Sequence, residues 1–199
     1  MSTSLRIAVA DDEPDMRDYF QKCLRRLGHQ VVAVAQDGRE LVEQCRAARP
    51  DLVITDIKMP DMDGLDAAAA IYQTLTVPII IVSAYYDPEL IERAGRNHIA
   101  AYLVKPIKQG DLETAIALAV QRFEEFQALH QEAADLRQAL EDRKLIERAK
   151  GLLMRKAGLD EQEAFRRLQQ LSRNKNRKMS EIAQIILMAE EAYEPPASS

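Results

Sequence analysis

Five short apolar runs, at 5–10, 31–35, 52–55, 77–82 and 101–104, punctuate the first half of this chain and constrain its fold more than any other feature. Each is four to six residues long, rich in Val, Ile and Ala, and apolar on both faces. A strand that alternates apolar and polar residues covers one side of a core. A strand apolar on both sides has to be covered twice, as in a parallel sheet with helices on both faces. Stretches of helical spacing lie between the runs, at 15–27, 38–48, 64–75 and 88–96; Phe20, Leu24 and Leu27 show the period in the first. Strand and helix therefore alternate with short connections. The expectation is an α/β domain with a five-stranded, doubly wound parallel sheet.

Such sheets bind ligands beyond the carboxyl ends of their strands. Asp11, Asp12 and Glu13 follow the first run, Asp56 ends the third, Ser83 ends the fourth, and Lys105-Pro106 follows the fifth. One carboxylate at a strand end is usually a helix cap. Three aspartates, a hydroxyl and a lysine, five suitable groups at four strand ends, point to chemistry at one edge. Carboxylate oxygens suit a hard divalent cation such as Mg²⁺. An aspartate beside it can act as a nucleophile towards a phosphoryl group, whose oxygens a lysine and a hydroxyl would contact.

The segments IAVADDE (7–13), DLVITDIKMPDMDG (51–64), PIIIVSA (78–84) and AYLVKP (101–106), in this order and spacing, resemble the receiver domain of bacterial two-component response regulators, a flavodoxin-like fold. The resemblance covers residues 5–122 and places a receiver at 1–122. It implies that a sensor histidine kinase phosphorylates Asp56. It assigns Mg²⁺ to Asp11, Asp12 and Asp56, with the main-chain carbonyl of Lys58 as a further ligand. It makes Ser83 the switch hydroxyl, Lys105 the phosphoryl-contacting lysine and Tyr102 the mobile aromatic of the last strand. It also implies a cis Lys105-Pro106 bond. Phosphorylation adds about −1.5 to −2 charge. Ser83 would move towards the phosphoryl group, Tyr102 would turn into the vacated space, and the surface around 88–96 would change shape. The side chains of Lys58 and Tyr85 flank the site and would tune phosphoryl lifetime. A half-buried core tyrosine and a solvated loop lysine are the plainer readings of Tyr102 and Lys58.

Leu112, Ile116, Ala119, Phe123 and Phe126 are spaced 4, 3, 4, 3, and Phe126, Leu129, Ala133, Leu136 and Leu140 are spaced 3, 4, 3, 4. This is a heptad seam with one irregular step at Phe126–Leu129. No Gly or Pro lies between Asp111 and Lys150, so one long helix is expected, extending the receiver's last helix and forming a homodimeric coiled coil over 111–144. The competing reading is a helix packed back on its own receiver.

The charge is unevenly distributed. Of the chain's 199 residues, 143–178 hold twelve basic and four acidic side chains, a net +8. The rest carries −13, and the two make the total of −5. Helical spacing continues through 145–157, 161–171 and 179–192. Apolar positions Ile146, Ala149, Leu152 and Leu153, then Ala164, Phe165, Leu168 and Leu171, then Ile182, Ala183, Ile186 and Leu187 could close a small three-helix core. Gly158 reads as a helix stop and Asp160 as an N-cap. A +8 block on so small a module suggests contact with a phosphate backbone. Aromatics for base stacking are nearly absent, so RNA shape or loop bases fit better than a single-strand platform.

Arg143, Ile146, Ala149, Lys150, Gly151, Met154, Gly158, Ala164, Phe165, Leu168, Asn176, Arg177, Lys178 and Ala183 match the pattern of the ANTAR domain, the RNA-binding output module of antitermination regulators, which residues 139–187 resemble; Ser172 stands where Ala is more usual. The expected domain is 139–192, with a disordered tail at 193–199. Receiver, coiled coil and ANTAR in this order resemble the mycobacterial-type two-component antiterminators. This implies binding to hairpins in nascent leader transcripts, and in the family the glycine at 151 permits close packing. The basic residues placed at the RNA are Arg143, Lys144, Arg148, Lys150, Arg155, Lys156, Arg173, Lys175, Arg177 and Lys178.

Two other classes compete: a receiver-controlled DNA-binding transcription factor and a protein-interaction module. The tail has no clear helix-turn-helix turn, and the SRNKNRK connection is long and basic. No Ser-His-Asp or Cys-His arrangement is evident, and His29, His98 and His130 lie in unrelated contexts, so an enzyme is not expected. No apolar run approaches the roughly 20 residues of a membrane span. The acidic N-terminus has no secretory layout, and Cys23 and Cys45 make neither a disulfide framework nor a metal spacing, so a cytoplasmic protein is expected.

Overall fold

The computed structural model describes residues 4–84 and 99–193. Five parallel strands, β1 (Arg6–Ala10), β2 (Gln30–Ala35), β3 (Leu52–Asp56), β4 (Ile79–Ser83) and β5 (Ile99–Val104), form one sheet in the order β2-β1-β3-β4-β5. Around it lie α1 (Pro14–Arg26), α2 (Gly38–Ala48) and α3 (Gly64–Tyr72). The remaining helices are α4 (Gln109–Ala157), α5 (Glu161–Lys175) and α6 (Met179–Tyr193). The helix expected at 88–96 and Tyr85 lie outside the described residues, as does the tail from 194.

Side-chain alternation along the strands explains the doubly apolar runs. Ile7, Val9, Ile54, Ile80 and Val82 point to the side where Phe20 and Leu24 of α1 pack with Leu112, Ile116 and Ala119 of α4. Ala8, Ala10, Val53, Ile79 and Ile81 point to the other, against Leu41 and Cys45 of α2 and Leu65, Ala68 and Ile71 of α3. Full burial of each Ile or Leu stabilises the fold by roughly 1.5–3 kcal/mol. Helix starts are fixed by Asp37, which accepts from the Glu40 N–H (2.8 Å), and Asp63, which accepts from the Asp66 N–H (2.7 Å).

Burial of Leu112, Ile116 and Ala119 corrects the expected seam: these apolar positions belong to the receiver's own core, where a heptad and a core-facing helix have the same spacing. The chain divides into two compact units, Met1–Gln127 and Ala128–Ser199. The division falls inside α4, at the irregular step in the heptad. Beyond it Leu129, Leu136 and Leu140 are 65%, 64% and 55% exposed.

In the second unit Ala149, Leu168, Ile182 and Ala183 form the buried centre, flanked by Ile146, Leu153, Leu171, Ile186 and Leu187. Phe165, expected in that core, is exposed instead; it follows buried Ala164 by one residue and so sits about 100° around the helix. Asp160 and Glu163 form a reciprocal capping box at the start of α5 (2.8 and 2.9 Å). Helix α5 runs four residues beyond the expected end at 171. It stops at Asn176, whose left-handed backbone (φ 50°) ends the helix. Arg173 and Lys175 are therefore helical, and only Arg177 and Lys178 lie in the connection to α6.

Candidate functional site

Strand order changes direction between β1 and β3: the chain leaves β1 for β2 on one side and β3 for β4 on the other. The crevice at such a point is where an α/β sheet offers a ligand site. Asp11 follows β1, Asp56 ends β3, Ser83 ends β4 and Lys105 follows β5. The Lys105 ammonium lies 2.6 Å from Asp56 Oδ2, 2.9 Å from Asp11 Oδ2 and 3.6 Å from Glu13 Oε1. Its backbone is held by the Lys105 N–H, which donates to the Ser83 carbonyl (2.8 Å), and the Lys105-Pro106 bond is cis.

Ligand oxygens of Asp11, Asp12 and Asp56 all lie within 4.8 Å of one another. Asp11 is fully buried, Asp56 nearly so, and Asp12 is open to solvent. Burial pushes the Asp11 carboxyl above its usual range, and the Lys105 ammonium only partly opposes this. Burial also works against the charge of Lys105, but its hydrogen bond to Asp56 and its attraction to both Asp56 and Asp11 outweigh that and hold its pKa above the ordinary value. Asp11, Asp56 and Glu13 thus lie around one ammonium, with Asp12 beside the two aspartates, an excess of negative charge. Asp11 Oδ2 is buried with the Lys105 ammonium 2.9 Å away, and among the described residues no donor reaches it with hydrogen-bond geometry. A hard-oxygen donor set with surplus charge and an unsatisfied buried oxygen fits a divalent cation such as Mg²⁺.

A cation there has to compete with protons for Asp11. Its affinity is expected to start falling, as pH drops, above pH 3.8, the midpoint of an ordinary aspartate. Calorimetric titration of Mg²⁺ between pH 8 and 4 checks this; an affinity flat down to pH 4 would contradict it.

Lys58 is exposed, and its main-chain N–H donates to Asp56 Oδ1 (3.3 Å). Ser83 is buried at 4% exposure, and Tyr102 is half-buried against the layer containing Ile79 and Ile81. Tyr85 lies outside the described residues. Two contributors, Arg17 and Gly64, escape a reading of strand ends, and a third, Glu13, is named by it without a role. Arg17, one turn into α1, donates to the main-chain oxygens of Asp11 (2.6 Å) and Asp12 (3.0 Å) and so fixes the acidic loop. Glu13 reaches Lys105. Gly64 lies against the Asp56 carbonyl, where an added Cβ would collide with the main-chain oxygen. The DDE run hints at Glu13; no local pattern marks Arg17.

In the second unit Arg143, Lys144, Arg148, Arg155, Lys156, Arg173, Lys175, Arg177 and Lys178 are all exposed. Lys144 pairs with Glu141 and Lys156 with Glu190. Arg148, Arg155 and Lys156 border a cleft of 390 Å³ floored by Leu152 and Leu187. Gly151 lines the same cleft, and among the described residues a Cβ there would meet only the end of Arg155 at 3.5 Å, so none of them packs closely on it. Lys150 departs from the expectation of an RNA contact: it is buried at 7% exposure and paired with Glu147 and Glu161. Its position between Ala149 and Gly151 turns it towards α5 rather than outwards.

No helix among the described residues is long and apolar enough to cross a membrane. The family model of the response regulator receiver domain matches residues 7–117, and that of the ANTAR domain matches 134–187. The transcriptional regulatory protein PdtaR of Mycobacterium tuberculosis is 43% identical over 182 residues, 92% of this chain and 89% of its own. Among solved structures, a response regulator receiver domain protein from Clostridium thermocellum is similar with a TM-score of 0.56 and 29% identity, covering 61% of this chain and 98% of its own. The signal receiver domain of a modulated diguanylate cyclase from Desulfovibrio desulfuricans is similar with a TM-score of 0.58 and 27% identity, again over 61% and 98%.

Proposed function

The chain belongs to the response regulator family, a family of regulators rather than enzymes, with a receiver domain and an ANTAR output domain, and from that membership we propose that phosphorylation of Asp56 by a sensor histidine kinase controls binding of its basic tail to RNA hairpins. The observation that carries this reading is the convergence of Asp56, Asp11, Asp12 and Lys105 at one sheet edge, with Lys105 2.6 Å from Asp56. The Asp56 carboxylate is the nucleophile: an O–P bond forms as the P–N bond to the kinase histidine breaks, and that nitrogen leaves with the electron pair. Asp11, Asp12, Asp56 and the Lys58 carbonyl are the groups that would hold Mg²⁺. When bound, the metal neutralises charge on the phosphoryl oxygens. Lys105 contacts the phosphoryl group, Ser83 moves towards it, and Tyr102 follows. Lys58, exposed beside the site, sets how readily water reaches the acyl phosphate, together with Tyr85.

The output is RNA-directed because residues 143–178 carry twelve basic side chains against four acidic ones. Capture of leader hairpins would disfavour a competing terminator and so cause antitermination in the cytoplasm. Leu129, Leu136 and Leu140 are exposed at heptad spacing, which supports a homodimer through this part of α4. The test is RNA binding and mass with and without beryllofluoride and Mg²⁺. The mimic is expected to change RNA affinity at least tenfold, and Asp56→Ala is expected to remove that response. Identical affinity and mass in both states would refute the switch.

A further inference from the structure

We infer that Lys150 is a positioning residue that pins the start of α5 onto α4 and thereby shapes the RNA face, rather than a group that touches RNA; this rests on the RNA reading above. An ammonium has three N–H donors. Three contacts within reach occupy them: Glu147 Oε2 at 3.0 Å, Glu147 Oε1 at 3.1 Å and Glu161 Oε1 at 2.8 Å. A phosphate oxygen reaching this ammonium has to compete with two carboxylates already in contact with it. The cluster of one lysine and two glutamates is net −1 inside a segment that is net +8, so it repels a phosphate rather than attracting one.

The contacts also have a direction. Glu147 and Lys150 lie one turn apart on α4, while Glu161 is the first residue of α5. Between the two helices the chain has only Gly158, Leu159 and Asp160, with Gly158 in the left-handed region (φ 66°). A three-residue turn closed by an interhelical ion pair fixes where α5 starts. The basic groups of α5 are thereby held in register with Arg148, Arg155 and Lys156 of α4. The pairing lowers the Glu161 pKa and raises that of Lys150. By linkage the clamp is complete between about pH 4.5 and 10.5, lost below that window as Glu161 protonates and above it as Lys150 deprotonates.

The test measures binding of the full chain to a synthetic RNA of two tandem stem-loops across a salt series. Simple electrostatics says that removing an acid from a basic module tightens RNA binding. The clamp says the reverse: Glu161→Gln is expected to weaken binding about fivefold, and Lys150→Met about tenfold, at every salt concentration. The slope of log affinity against log salt is expected to stay at the wild-type value, because the variants populate the binding-competent arrangement less while that arrangement keeps its phosphate contacts. The Lys150→Glu/Glu161→Lys double variant is expected to recover part of the affinity that Lys150→Glu loses. Glu161 is an exposed side chain, so its variant remains informative if Lys150→Met fails to fold. A slope reduced by about 1 in Lys150→Met identifies a direct phosphate contact and overturns the inference. Tighter binding by Glu161→Gln overturns it as well. A wild-type chain that binds no hairpin RNA overturns the RNA reading and the clamp's part in it. Wild-type binding with the wrong sign in Glu161→Gln overturns the clamp alone.

Discussion

Lys105→Met is expected to abolish the response to beryllofluoride while tightening Mg²⁺ binding about tenfold. The two effects have opposite signs because the ammonium has two relationships at the site. Towards the phosphoryl group proposed for Asp56 it is the neighbouring cation, at 2.6 Å from Oδ2. Towards a divalent cation it is a competitor for the carboxylates, since it lies 2.9 Å from Asp11 Oδ2 and shares Asp56. Removing it leaves Asp11, fully buried, without its counter-charge. In the absence of metal Asp11 then takes up a proton more readily, which limits the loss of stability. With metal present the cation replaces the missing charge, so the thermal midpoint of the variant is expected to rise more steeply with Mg²⁺ than that of the wild type. Calorimetry and thermal denaturation read both quantities. Weaker Mg²⁺ binding in the variant would show that Lys105 organises the carboxylates rather than competing for them.

How far this site was legible in the chain depends on the kind of signal each residue leaves. Asp11, Asp56, Ser83 and Lys105 were readable because a doubly apolar strand has a definite carboxyl end, and parallel strands bring those ends to one edge. Arg17 was not, because its contacts are to main-chain oxygens, and any Arg on the first turn of a helix looks the same in sequence. The long helix was legible as a helix, but its partner was not. An a/d spacing at Leu112, Ile116 and Ala119 serves a receiver core as well as a coiled coil, and only burial separates the two. Lys150 is the instructive miss. Composition counts it among twelve basic residues, yet its acidic partners lie 3 residues before it and 11 after it. A charge count cannot tell a cation facing a partner from one facing solvent. Phe165 fails in the other direction, an aromatic placed in the core by its type but exposed by its helical phase.

Gly64→Ala tests the backbone on which Asp56 sits, and its expected effect is large. Gly64 is the first residue of α3, directly after the N-cap Asp63, and its N–H donates to the Ile57 carbonyl (2.8 Å). The loop from Asp56 to Gly64 therefore closes on itself. A Cβ at Gly64 would overlap the Asp56 carbonyl oxygen, lie 2.9 Å from its carbonyl carbon and 3.1 Å from Thr55 Oγ1. The first two are main-chain atoms of a buried strand, which cannot swing aside as a side-chain end can. Either α3 moves off its N-cap or the end of β3 moves. In the second case Asp56 leaves its place beside Lys105. The expected cost is about 3 kcal/mol, and the thermal midpoint of the receiver unit is expected to fall by roughly 10 °C or more. Phosphoryl acceptance from a small-molecule donor is expected to drop at least tenfold in the fraction that stays folded. Gly110→Ala is the control, since Gly110 lies in the first turn of α4 with nothing within 4 Å of its added Cβ. That change is expected to be neutral or to stabilise by up to about 1 kcal/mol, as Ala does over Gly in a helix. A Gly64→Ala protein that melts within 2 °C of the wild type would mean that the Asp56–Gly64 loop yields where a rigid strand end should not. The proposed phosphorylation site would then depend on its side chains alone.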